Sequence, residues 1–84
     1  MPTPLVRLYA RPDCHLCDEA RDQLLAIRAA GAEFRLDEVD IDRDDELLRR
    51  YLERIPVVEV EGEVVSELGL DADGLRAKLD TLSR

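Results

Sequence analysis

The chain has 84 residues, with 20 Asp and Glu against 12 Lys and Arg, and a formal net charge of −8. A domain of this size buries only about 60–65% of its unfolded surface, which leaves room for one compact core and no second module. The acidic balance opposes a phosphate backbone, and a composition with no Trp, one Phe and two Tyr offers no platform for stacked bases, so nucleic acid is excluded as a partner.

The opening Met1-Pro2-Thr3-Pro4 lacks the basic region and apolar core of a secretory leader. No stretch approaches the ~20 apolar residues of a membrane span. Two cysteines without an export signal point to a reducing, cytoplasmic compartment, where a C-x-x-C is catalytic or metal-binding rather than a permanent staple.

Leu5 to Ala10 reads as a first strand, broken at Arg11-Pro12-Asp13 because proline biases the preceding residue away from helix. Asp13 is placed to cap the helix that follows, which reads from Asp18 onward. Cys17, Ala20, Leu24 and Ile27 recur at helical spacing and form one buried stripe, while Glu19, Arg21, Asp22 and Arg28 face water. Gly31 ends this helix, as the residue that tolerates the left-handed conformation. Cys14-His15-Leu16-Cys17 holds the chain's only cysteines and falls at the strand-to-helix junction, with Cys17 inward and Cys14 at the exposed end. Residues three apart on a helix reach the Cα separation of about 5 Å that a disulfide needs, so the pair can open and close.

Phe34, Leu36, Val39 and Ile41 mark a second strand whose alternation slips between Leu36 and Val39, a sign of a bulge or an early end. Asp42 reads as the cap of a helix over Arg43 to Leu52, with Asp44, Asp45 and Glu46 in its first turn and Leu47, Leu48 and Tyr51 on its buried side. Ile55-Pro56 leads into Val57-Val58-Glu59-Val60, and Glu61-Gly62 separates that run from Glu63-Val64-Val65 as a hairpin turn. Asp71 caps a last helix carrying Leu75, Leu79 and Leu82. The order βαβαββα, in one domain over residues 1–84, implies an α/β fold with a mixed four-stranded sheet flanked by three helices. At this length that is a thioredoxin-like arrangement.

Tyr9-Ala10-Arg11-Pro12-Asp13-Cys14-His15-Leu16-Cys17 resembles the active-site segment of the glutaredoxins, with Arg11 where members often carry Lys. Ile55-Pro56 resembles that family's Val-Pro, whose proline is cis and faces the dithiol. Element order, the distance from cysteines to proline and the final helix extend the resemblance over nearly the whole chain. It implies a thiol–disulfide oxidoreductase in which Cys14 attacks and Cys17 resolves, with Arg11, Ile55, Pro56, Asp71 and Asp73 as substrate contacts. Two departures stand out. Arg54 occupies the place of a common Thr, and the Gly-Gly-x-Asp-Asp signature that helps hold glutathione survives only as Gly69-Leu70-Asp71-Ala72-Asp73. The expectation is a protein with no bound cofactor that uses glutathione weakly as reductant. It acts as a monomer on a disulfide-containing protein or small thiol substrate and accepts electrons from a thioredoxin reductase.

Other chemistries compete with these roles. A closed zinc site wants four ligands, and two thiols plus an adjacent His15 do not converge on one metal. A site shared across a dimer, including an iron–sulfur cluster held by two chains, is the metal alternative; a non-catalytic interaction domain is the third. His15 reads as a solvated surface residue, and Tyr9 and Tyr51 read as core.

Overall fold

The computed structural model describes residues 3–82, so Met1 and Pro2 of the leader reading lie outside the described residues. Strands β1 (Leu5–Ala10), β2 (Arg35–Asp40), β3 (Val57–Val60) and β4 (Glu63–Glu67) form one sheet in the order β2-β1-β3-β4. Helices α1 (His15–Ala29), α2 (Asp45–Tyr51) and α3 (Ala72–Leu82) flank it. β1 and β2 are parallel, as the intervening α1 requires, while β3 is antiparallel to both β1 and β4.

Two apolar clusters lie on opposite faces of the sheet. Val6, Leu8 and Ala10 of β1 and Val58 and Val60 of β3 pack with Cys17, Ala20, Leu24 and Ile27 of α1 and Leu75 and Leu79 of α3. The intervening residues Tyr9 and Val57 pack with Ile41 and Tyr51 on the α2 side. Strict alternation therefore gives β1 and β3 apolar residues on both faces, interrupted on the α2 face by Arg7 and Glu59, which pair with each other across the two strands.

The slip in β2 has the same origin. Its pairing with β1 is regular from Leu5–Arg35 to Ala10–Asp40, without a bulge. Leu36 packs on the α1 side and Val39 on the α2 side, so an odd spacing serves two cores rather than one. Ile41 is buried but belongs to a 3-10 turn over Ile41–Arg43. The register shift of the sheet occurs instead between β3 and β4, at Val58/Glu59.

Three assignments at helix starts are corrected. Helix α1 begins at His15, and Asp13, with φ 60°, precedes its cap rather than forming it; the cap is Cys14, whose sulfur accepts the Cys17 N–H at 3.2 Å. Asp42 does not cap the second helix. Asp40 caps the 3-10 turn and Asp44 caps α2, accepting the N–H groups of Glu46 and Leu47. That turn takes Arg43 and leaves Asp44 as the cap, so α2 covers Asp45–Tyr51 rather than Arg43 to Leu52.

Candidate functional site

The parallel strands β1 and β2 and the incoming end of β3 meet at one end of the sheet. Ala10 pairs with Asp40, and Tyr9 pairs with Val57, so the loop that leaves β1 for Cys14 lies beside the segment that enters β3 through Ile55–Pro56. Loops at the carboxyl ends of parallel strands are where an α/β sheet builds sites. The Ile55–Pro56 peptide bond is cis and Pro56 is fully buried.

Cys14 and Cys17 are joined by a disulfide with a Cα–Cα distance of 5.2 Å. Their surroundings differ. Cys17 is 0% exposed within the α1 stripe, whereas Cys14 is half-buried and packs against the margin of the same cluster. As N-cap, Cys14 places its sulfur where the unpaired N–H groups of the first turn point, an arrangement that favours a thiolate once the pair is reduced.

Charged neighbours are largely tied to one another. Arg11 donates to Asp42 at 2.8 Å, Arg21 bonds Asp18 and Glu38, and Arg43 faces Asp40 at 3.7 Å. Arg11, Arg21 and Arg43, with the partner carboxylates Asp18, Glu38 and Asp40, line a groove of about 640 Å³ between the β1–α1 loop and the end of β2. Its lining is thus zwitterionic rather than cationic. His15 lies 87% exposed beside Glu19, at 3.1 Å. Arg54, just before Ile55, hydrogen-bonds Glu67; the guanidinium holds the Glu67 carboxyl below its ordinary value, and the carboxylate raises Arg54 in turn. Asp71 caps α3, its Oδ1 accepting the Gly74 N–H at 3.0 Å, and Asp73 is exposed in the first turn. Among the described residues, no group of three or more His, Cys, Asp or Glu side chains converges as a metal site.

Sequence reasoning passed over Glu59. In an alternating strand it reads as a solvent-facing residue, yet it is 8% exposed, and its carboxylate accepts the Tyr9 hydroxyl at 3.1 Å and the Tyr51 hydroxyl at 3.4 Å. The signal was present in the two tyrosines, both called core, whose hydroxyls need buried partners.

The family model of the glutaredoxin-like domain (DUF836) matches residues 5–80, from β1 into α3. The chain belongs to that family. This glutaredoxin-like domain is 29% identical to a protein of Nitrosomonas europaea solved by NMR, with a TM-score of 0.81 and 93% of each chain covered. It is 40% identical to an X. campestris protein solved by X-ray methods, with a TM-score of 0.67 over 90% of this chain and 96% of that one. A mutant thioredoxin of Halobacterium salinarum is 19% identical, with a TM-score of 0.65 over 96% of this chain and 75% of its own, a likeness of fold alone. No curated protein matches the chain at a significant level. The fold is thioredoxin-like, and a C-x-x-C pair at disulfide distance within it fits a redox role. Among the described residues, no helix is long and apolar enough to cross a membrane.

Proposed function

We propose that this glutaredoxin-like domain is a cytoplasmic thiol–disulfide oxidoreductase that works as a monomer on disulfides of proteins or small thiols. The observation that carries the reading is the asymmetry of the pair at the start of α1, with Cys14 half-buried and Cys17 fully buried. In the reduced state the Cys14 thiolate attacks one sulfur of the substrate disulfide. A mixed disulfide forms and the other substrate sulfur leaves as a thiolate. Cys17, deprotonated, then attacks the Cys14 sulfur, closing the Cys14–Cys17 bond and releasing the second substrate thiolate. Two electrons pass from the dithiol to the substrate, and solvent protonates the released thiolates.

Ile55 and Pro56 supply the backbone beside which an extended substrate docks, with Arg11, Asp71 and Asp73 as charged contacts at the rim. Two features support weak use of glutathione. Asp71 is engaged by the Gly74 N–H, and Arg54 by Glu67, so the charges nearest the altered signature already have partners. The electron donor in this reading is a thioredoxin reductase.

The test is reduction of 2-hydroxyethyl disulfide, with glutathione and its reductase or with NADPH and a thioredoxin reductase as the donor system. Turnover should be lost in Cys14→Ser and should be faster with the thioredoxin reductase. Efficient, saturable turnover with glutathione would overturn the choice of donor. Inactivity with both systems and with dithiothreitol would overturn the enzyme.

A further inference from the structure

Glu59 stands on a central strand, where burying a carboxylate is costly unless hydrogen bonds compensate it. An aliphatic residue would pack beside Val57 and Ile41 without that cost. What the carboxylate adds is a bridge. Its two oxygens take the hydroxyls of Tyr9, on β1, and Tyr51, the last residue of α2, and the two rings stack with centroids 4.5 Å apart.

Both tyrosines border the Ile55–Pro56 segment. The Tyr51 carbonyl accepts the N–H of Arg54 at 2.8 Å and that of Ile55 at 3.0 Å. On the other side, Tyr9 pairs with Val57, the residue after Pro56. Arg54 extends the arrangement: its guanidinium lies 5.2 Å from the Tyr51 ring centroid, and its carbonyl accepts the Leu68 N–H at 2.9 Å. We propose that Glu59, Tyr9 and Tyr51 form a positioning clamp that fixes the Ile55–Pro56 backbone for docking of a polypeptide disulfide. The proposal rests on the oxidoreductase reading and names the class of substrate that depends on the clamp. A small disulfide needs only access to Cys14, whereas a polypeptide must also lie along Ile55, and only the second is sensitive to where that backbone sits.

The experiment compares two substrates, insulin and 2-hydroxyethyl disulfide, in the wild-type protein and in Tyr51→Phe, Glu59→Leu and Glu59→Gln. Tyr51→Phe keeps the ring and removes one donor. In Tyr51→Phe, kcat/KM for insulin should fall by about fivefold, the equivalent of one net hydrogen bond, and in Glu59→Leu, which removes both bonds, it should fall further. The loss should enter through KM, and 2-hydroxyethyl disulfide turnover should be unchanged. Glu59→Gln, which keeps the volume and can still bridge the two hydroxyls, should recover most of the insulin activity. Amide hydrogen exchange at Ile55 should quicken in Tyr51→Phe while the β1–β2 amides keep their rates. An equal fall for both substrates, or no change with insulin, would overturn the clamp. If the wild type turned over neither substrate, the oxidoreductase reading would fail first and the docking role with it.

Discussion

Replacing Gly31 by Ala measures the backbone requirement at the far end of the dithiol helix. Helix α1 closes with the Gly31 N–H donating to Arg28 O at 3.1 Å and the Ala32 N–H to Ile27 O at 3.3 Å, the paired bonds of a Schellman motif. That closure sets φ of Gly31 at +118°, a conformation L residues rarely adopt. A Cβ added there meets nothing within 4 Å, so packing contributes no penalty and the backbone contributes nearly all of it. Left-handed backbone costs an L residue about 1–2 kcal/mol. The smaller entropy of the unfolded Ala variant returns roughly 0.5 kcal/mol. The net expectation is a loss of about 1 kcal/mol, equivalent to a fall in Tm of about 4–8 °C for a domain of this size. Urea unfolding followed by circular dichroism reads the change, with an unaltered m-value. The whole 15-residue helix, about 22 Å long, separates Cys14 from Gly31, so the alkylation rate of Cys14 in the reduced protein should not move. An unchanged or raised stability would show that the closure tolerates Ala, and a loss above about 3 kcal/mol would contradict the open space around Gly31.

Asp44→Ala removes the acceptor of the Glu46 and Leu47 N–H groups and should cost about 1 kcal/mol in urea unfolding, whereas Asp44→Asn should retain most of it. Equal losses in the two variants would refute the capping role. Asp71→Ala should lose a similar cap energy at α3, about 1 kcal/mol, and Asp71→Asn should keep it. If Asp71→Asn also leaves KM for glutathione unchanged in the coupled assay, the carboxylate serves the helix rather than a ligand. A raised KM would assign it to the ligand. Burial raises the Tyr9 pKa above its ordinary 10.0, so the folded state holds this proton more tightly than the unfolded chain. The stability it contributes is complete below pH 10 and is lost as pH rises through the folded value. Alkaline unfolding should therefore flatten in Tyr9→Phe, and an identical alkaline limb in the two proteins would refute that origin.

Local signals carried the fold a long way. The Cys17, Ala20, Leu24 and Ile27 stripe gives α1 its buried side, and Gly31 gives its end. Glu61-Gly62, both at positive φ, makes the two-residue turn between β3 and β4. The readings that failed concern competition between adjacent acids. Asp40, Asp42 and Asp44 are chemically equal as caps, and which of them caps is set by the 3-10 turn at Ile41–Arg43, a product of tertiary packing around the buried Ile41. Asp42 is drawn instead to Arg11, 31 residues away in sequence. Cys14 displaced Asp13 because the helix starts one residue beyond the first cysteine, which puts a sulfur in the place of a carboxylate. Glu59 was hidden for another reason. A strand with helices on both sides has no outward face, and no local pattern reports how many helices will cover it.

The division of labour between Cys14 and Cys17 is tested most directly by trapping. Reduced Cys17→Ser protein is mixed with a disulfide-containing protein and resolved on a non-reducing gel, and the bridging residue is identified by mass spectrometry. With Cys14 at the helix mouth and Cys17 fully buried, the mixed disulfide should accumulate on Cys14, and Cys14→Ser should trap nothing. A Cys14 unreactive towards alkylation at neutral pH in Cys17→Ser, or equal trapping by Cys14→Ser, would contradict the assignment of nucleophile and resolver.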